Sequence, residues 1–356
     1  MNVDQQAPYN FYNYTRAQLM ELLSGLGKER FRAEQLFTWV YRRGVTDFDQ
    51  MTNLSKTFRE ELKSKFIFHL PPIVTAAKSR DTTQKLLVDV GQQKTVECVL
   101  IPAEDRMTLC VSSEIGCNMA CQFCFTGKQK LQRRLGVADI VGQFLQANSQ
   151  LVGEQKITNI VFMGMGEPLD NLEGVFGAID VLCDGAGINL SRKKITVSTS
   201  GLVPQIKHVA EAGVRLAVSL NASSDELRDI IMPINKKYPL KELMAACAEF
   251  TQETRDRITF EYVLLKGVND SLEDAVRVHN IVKSVPNKVN LIPFNEHEGS
   301  EFQRPEVSTV LKFQNELIRR GHSVFIRRTM GRDIYAACGQ LRSKFEGHPG
   351  WRTANG

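Results

Sequence analysis

Three thiols stand close together in this 356-residue chain: Cys117, Cys121 and Cys124, in the run GCNMACQFCFTG, at C-x3-C-x2-C spacing. Thiolates this near to one another on a loop converge on soft metal, as zinc and iron–sulfur clusters both require. A four-ligand structural zinc site needs a fourth Cys or His in a matching short pair, and none stands nearby. Three protein ligands suit a [4Fe-4S] cluster, because they leave one iron open to a ligand from outside the protein. Five further cysteines, Cys98, Cys110, Cys183, Cys247 and Cys338, are scattered. The N-terminal residues lack the basic-then-apolar order of a secretory signal and no long apolar run follows, so a cytoplasmic protein without a membrane span is expected. In that reducing compartment eight cysteines speak for metal binding or catalysis and against a disulfide framework.

The elements that must position these thiols follow from periodicity. Residues 1–80 read as a helical accessory module, with apolar residues at three- and four-residue spacing in TRAQLMELLSGLGK, RAEQLFTWVYRRG and LSKTFREELKSKF. The prolines of HLPPIV close it. QKLLVDV and TVECVLI around GQQK predict a β-hairpin linker over 81–104. From 105 to 345 short β-like runs alternate with stretches long enough for crossover helices: TLCVSS, NIVFMGMG, KITVSTS, RLAVSLN, RITFEYVLL and KVNLIPFN, with a later SVFIRR. Six βα units fall short of a closed eight-unit barrel, so the fold class is α/β, an open partial (βα)6 barrel whose chemistry sits at the C-terminal ends of its strands. The three-thiol loop follows the first of these strands and precedes a basic stretch read as a helix. Residues 346–356 read as a flexible tail.

The composition, 42% hydrophobic and 24% charged, allows one large domain and a small one. The net charge of +5 is modest, but basic residues gather at Lys28-Arg30-Arg32, Arg42-Arg43, Lys128-Lys130-Arg133-Arg134, Arg192-Lys193-Lys194, Lys236-Lys237 and Arg327-Arg328-Arg332. Any one cluster is an ordinary solvated face; together they fit RNA or a phosphate-bearing ligand. The six histidines, His208, His297 and His322 among them, show no metal-like pairing in the sequence.

The loop CNMACQFC resembles that of the radical S-adenosylmethionine (SAM) superfamily, whose C-x3-C-x2-C cysteines hold a [4Fe-4S] cluster and whose usual fold is a partial (βα)6 barrel. MGMGEPL, VSTSG, MPINKKYP, NLIPFN and DIYAACGQL narrow the resemblance to the RNA adenine methyltransferases of the RlmN and Cfr type, over nearly the whole chain. It implies that Cys117, Cys121 and Cys124 bind the cluster. It also implies that SAM lies against Gly166-Glu167, Ser198, Ser219-Leu220-Asn221 and Asn295, with Glu167 suited to its ammonium group. Where the family often has Ser-Leu-His, this chain has Ser219-Leu220-Asn221; asparagine still offers a donor and an acceptor.

An adenine C2 or C8 carbon is electron-poor and cannot attack an electrophilic methyl group as an amine or thiolate would. The resemblance implies a radical route, with Cys338 as methyl carrier, Cys110 as the thiol that releases the product through a transient disulfide, and Glu97 as the carboxylate that removes a proton from the adduct. Read from its strand alone, Glu97 shares a face with Thr95 and Val99 and is expected to be exposed. Cys98, Cys183 and Cys247 match no catalytic position.

Glu167-Pro168 and Ile292-Pro293-Phe294-Asn295 favour the C2-methylating type over the C8-methylating Cfr type, in which alanine is expected at position 168. The implied partners are 23S ribosomal RNA at the peptidyl-transferase centre, adenine 37 of tRNA, and a one-electron reductant such as flavodoxin. The alternatives are a C8 methyltransferase, a non-catalytic Fe–S or zinc RNA-binding protein, and a radical enzyme acting on a peptide or small molecule.

Overall fold

The computed structural model describes residues 8–297 and 299–341; the expected tail lies outside them. Near the N-terminus Tyr9–Asn10 (β1) pairs in parallel with Phe66–Ile67 (β2), enclosing the helices Arg16–Gly25 (α1), Phe31–Phe37 (α2) and Lys56–Lys65 (α3). Thr15 and Gln18 start α1 as a capping box, each side chain serving the other's backbone N–H. The periodicity predicts one helix across RAEQLFTWVYRRG, but α2 widens into a π-helical turn, Thr38–Arg42. In that turn Val40 and Tyr41 are both buried, and the Tyr41 ring lies 4.9 Å from Phe37 and 6.0 Å from Phe11.

The remainder is built on ten strands in one sheet. Ile73–Lys78 (β3), Gln84–Asp89 (β4), Thr95–Ala103 (β5) and Arg106–Cys110 (β6) run antiparallel. The strands predicted around GQQK are β4 and β5, and they continue the main sheet rather than bridging two bodies. After β6 comes the short strand Glu114–Ile115 (β7), which pairs with Arg133–Arg134 (β8). The three-thiol loop is the excursion between them. The basic stretch after it is therefore a strand, not the expected helix, because pairing with β7 commits Arg133 and Arg134 to extended backbone; helix begins only at Val137–Ser149 (α4).

The βα alternation then proceeds as the sequence predicts: Asn159–Phe162 (β9), Leu172–Cys183 (α5), Ile195–Thr199 (β10), Ile206–Glu211 (α6), Arg215–Ser219 (β11), Asp225–Ile231 (α7), Leu240–Thr254 (α8), Ile258–Leu264 (β12), Leu272–Val282 (α9), Asn287–Pro293 (β13), Val307–Arg319 (α10) and Val324–Ile326 (β14). From β6 to β14 every neighbouring pair is parallel. The order β14-β13-β12-β11-β10-β9-β6-β5-β4-β3 leaves the sheet open at both ends. This is the partial barrel expected, with the antiparallel strands added at one side. Strands covered on both faces read as near-continuous apolar runs, as ITFEYVL of β12 does. No helix among the described residues is long and apolar enough to cross a membrane.

The N-terminal module shares one apolar core with the barrel. At the junction, Gly142 of α4 faces Pro71: a Cβ there would lie 2.4 Å from the proline ring, which cannot swing aside. A helical Gly→Ala change ordinarily stabilises by roughly 1 kcal/mol. Gly142→Ala is expected instead to destabilise by about 1–3 kcal/mol through overpacking, read as a lower midpoint in denaturant unfolding. A midpoint equal to or above the parent's would show that the contact yields.

Candidate active site

The ends of the parallel strands converge on one cleft. Its walls include Cys117, Cys121 and Cys124 from the loop between β7 and β8, Gly166 and Glu167 after β9, Ser198 of β10, Ser219 and Asn221 at the end of β11, Asn295 after β13, and Cys338. Its volume of about 160 Å³ is roughly ten times what one water molecule requires, so the space suits an organic ligand.

Glycine makes the first wall possible. Gly166 has φ +98°, and a Cβ on it would lie 2.5 Å from the Glu114 side chain. That contact lets the Glu114 carboxylate accept from the Glu167 N–H at 2.8 Å. Burial, with Asp170 and Glu167 nearby, pushes Glu114 up to about 8. The Glu167 carboxylate accepts from the N–H groups of Leu169 (3.2 Å) and Ser200 (2.7 Å). Burial raises its pKa and these N–H groups oppose the rise. A carboxylate has further lone pairs, so two backbone bonds leave room for a cationic ligand.

Ser198 donates to the Phe162 carbonyl at 2.5 Å. Leu220 is fully buried and does not line the cleft; its N–H donates to Glu261 O. Asn221 adopts φ +54°, a left-handed conformation that asparagine tolerates. Its Oδ1 accepts from Val263 N at 2.8 Å and its Nδ2 contacts the Met232 sulfur at 3.3 Å, so the amide closes its own loop as well as facing the cleft. Asn295 Nδ2 reaches the Cys338 carbonyl at 3.4 Å.

All three thiols of the loop have raised pKa values because they are buried. Buried thiols with raised pKa become thiolates only when metal charge compensates them. Among the described residues, no three Cys, His, Asp or Glu side chains are grouped as ligands of a single ion. Cys117, Cys121 and Cys124 nonetheless line one cleft, and three thiols are the donor set that a [4Fe-4S] cluster takes when one iron is left to an outside ligand.

The segment bearing Cys338 docks on this loop: Phe125 N donates to Gly339 O at 2.9 Å and Thr126 Oγ1 to Leu341 O at 2.7 Å. Cys338 is exposed to the cleft and Cys110 is buried beside it. Burial first, and the neighbouring Cys338 second, push the Cys110 thiol up to about 12, against the pull of Arg327. Glu97 corrects the reading made from its strand alone. It is fully buried rather than exposed, because Lys85, also fully buried, pairs with it at 3.0 Å. It does not line the cleft.

Sequence reasoning missed the charged partners. Arg228 is fully buried and its guanidinium donates to the carbonyls of Ser200 (2.6 Å), Ser219 (3.0 Å) and Leu220 (3.1 Å) and to Asn235 Oδ1 (3.0 Å). Burial lowers its pKa to about 10, while Cys121, Asp225 and Asp229 act in the opposite direction. Arg327 lines the cleft 3.6 Å from Glu261, and Cys338 and Glu261 beside it hold its pKa above the ordinary value. The only signal for Arg228 was its neighbour Asn235 in MPINKKYP. The rings of His279 and His322 meet at 2.9 Å, joined by the packing of α9 against the chain entering β14, and neither lines the cleft.

An open parallel sheet with a three-thiol loop at its mouth defines a radical SAM enzyme, and the Radical SAM superfamily model matches residues 113–278. Enzymes of this class use a [4Fe-4S] cluster and SAM. Residues 9–68 match the ribosomal RNA large subunit methyltransferase N-terminal domain. A crystal structure of a radical SAM methyltransferase from Sphaerobacter thermophilus superposes with a TM-score of 0.86 at 40% identity, covering 94% of this chain and 99% of that one. The dual-specificity RNA methyltransferase RlmN of Bdellovibrio bacteriovorus is 58% identical over 337 residues, 95% of this chain and 84% of that protein. The RlmN of Geotalea uraniireducens is 50% identical, over 94% and 96%. The chain belongs to the RlmN family of RNA methyltransferases.

Arg228→Met strands three buried carbonyls that no water replaces without rearrangement. At about 1–3 kcal/mol for each unsatisfied group, the variant is expected to lose at least about 3 kcal/mol in denaturant unfolding. A loss below about 1 kcal/mol would show that the strand ends hold their spacing without the guanidinium.

Proposed function

We propose that this chain methylates C2 of adenine in RNA, acting on 23S ribosomal RNA at the peptidyl-transferase centre and on the adenine beside the tRNA anticodon. The observation that carries this reading is the meeting of two thiol systems in one place: Cys338 shares a cleft with Cys117, Cys121 and Cys124, and buried Cys110 is close enough to feel its charge. Cys117, Cys121 and Cys124 hold the cluster. Gly166, Glu167, Ser198, Ser219, Leu220, Asn221 and Asn295 hold SAM, with Glu167 taking its ammonium group.

When bound, these groups supply the one-electron chemistry, both a hydrogen-abstracting radical and a sink for the electron that the adduct gives up. The chain supplies the rest. Cys338 carries the methyl group as a thioether and, once activated, joins the base to its sulfur through a methylene. Glu97 accepts the proton from C2, leaving its electron pair in the ring. Cys110 Sγ then bonds to Cys338 Sγ as the Cys338 S–CH2 bond breaks. That bond's electron pair goes to the methylene carbon, which takes up a proton and becomes the methyl group. The oxidised pair is returned to thiols by a reductant, and a flavodoxin-type protein supplies electrons to the cluster.

The target adenine must be unstacked to enter the cleft. Residues 9–68 form an accessory RNA-binding domain, shorter than the expected 1–80 because β3 joins the main sheet, and the basic clusters there and beside the strand ends hold the surrounding phosphates. The guanidinium groups of half-buried Arg32 and exposed Arg43 stack on Phe31 (4.6 Å) and Trp39 (4.3 Å), the kind of surface that also suits unpaired bases.

Mass spectrometry of adenosines from ribosomal RNA and tRNA, treated with anaerobically reconstituted enzyme, SAM and reductant, tests the reading. We expect 2-methyladenosine from the parent enzyme and none from Cys338→Ala. Formation of 8-methyladenosine would overturn the choice of carbon but not the roles of the cysteines. No methylated base from either RNA, with an intact cluster, would overturn the assignment of substrate.

A further inference from the structure

The antiparallel strands beside the barrel carry Glu97 and Cys110, and they also deliver a buried cation to the chemistry proposed above. In the sheet, Lys85 of β4 pairs with Val99 of β5, and Val99 with Cys110 of β6. Cross-strand partners point to the same face, and so do residues two apart on one strand. Lys85, Glu97, Val99 and Cys110 therefore share a face. On it, Lys85 Nζ lies 3.0 Å from Glu97 Oε1, with both side chains wholly shielded from solvent. The same ammonium donates to the carbonyl of Tyr335 at 3.4 Å, three residues before Cys338.

The turn between β3 and β4 grips that segment at further points. Ser79 Oγ donates to Asp333 Oδ1 at 2.5 Å, Arg80 N to Asp333 Oδ2 at 3.3 Å, and Gly331 N to Asp81 Oδ2 at 2.8 Å. One hairpin thus binds the stretch 331–335 from outside and inserts an ammonium beneath it.

We infer that Lys85 is a positioning residue for the release step: it holds Glu97 ionised and fixes the Cys338 segment relative to that carboxylate. A buried carboxyl group without a cation takes up a proton, and a nearby ammonium reverses that preference. The release step needs the ionised form, since the C2–H bond breaks with its electron pair staying in the ring and its proton passing to a Glu97 oxygen. The backbone contact to Tyr335 sets where the sulfur-bound base is carried relative to that oxygen. This inference rests on the proposed role of Glu97, and the test separates the two.

The reconstituted enzyme is given SAM, reductant and RNA, and three quantities are followed: methylation of Cys338 by mass spectrometry, 5′-deoxyadenosine formation, and protein bound covalently to RNA on denaturing gels. Lys85→Met, Lys85→Gln, Lys85→Arg and Glu97→Gln are compared with the parent. Lys85→Gln, which keeps an N–H donor without the charge, replaces Lys85→Met if the latter does not fold.

In Lys85→Met or Lys85→Gln, Cys338 methylation and 5′-deoxyadenosine formation are expected to stay within about twofold of the parent. Release is expected to slow by about 100-fold, the scale of general-base catalysis, so that the covalent adduct accumulates. Lys85→Arg restores the charge and is expected to recover most of the release. If Glu97→Gln accumulates adduct while the uncharged Lys85 variants release product like the parent, the inference is overturned and the role of Glu97 stands. If neither accumulates adduct, both fall. If all three quantities decline together in the Lys85 variants, Lys85 supports the fold alone and the positioning role is overturned.

Discussion

Arg228, wholly buried, donates to three carbonyls at the ends of β10 and β11 and to Asn235, and the shape of the site depends on those contacts. Parallel strands end in loops whose carbonyls have lost their ladder partners, and in a buried mouth water cannot replace them freely. A single planar donor with several N–H groups settles the spacing of two adjacent strand ends at once. The cost is a buried cation. The chain offsets it with Asp225, Asp229 and Cys121 nearby, so the group that fixes the strand ends also places positive charge beside a thiol of the cysteine loop.

The same trade recurs in and around the cleft. Glu97 is offset by Lys85, Glu261 by Arg327 and by the amide of Asn290, and Glu114 by the N–H of Glu167 with Arg134 further out. Most partners come from different strands or loops, so each pair also fixes the distance between two elements. Buried pairs of this kind add little net stability. Their consequence is geometric, since breaking one leaves an uncompensated charge and the elements cannot drift apart cheaply.

This explains what could be read from the sequence. The parallel strands were legible because each is spelled by a local run of β-branched and apolar residues. The three-thiol loop was legible because its spacing is local. The clefts' polar walls, Glu167, Ser198, Ser219, Asn221 and Asn295, followed from motifs at strand ends. Lys85 with Glu97, Arg228 with Ser200, and His279 with His322 were not legible, because each meeting is made by register or by packing between elements. Glu97 was misjudged as exposed for that reason: alternation gives the face of a strand residue but not what covers it. The basic stretch at Lys130–Arg134 was misread as helix because charge carries no period, whereas pairing with β7 decided its conformation.

Desolvation also orders the proposed thiol chemistry. A thiol pushed up to about 12, as Cys110 is, is almost entirely protonated at neutral pH and is a poor nucleophile. Part of that rise comes from Cys338, whose own negative form would repel a second thiolate. A Cys338 sulfur converted to a thioether has no negative form, so that repulsion disappears while the attraction of Arg327 remains. The shift favours ionisation of Cys110 at the stage when its attack on Cys338 is useful, and disfavours it earlier.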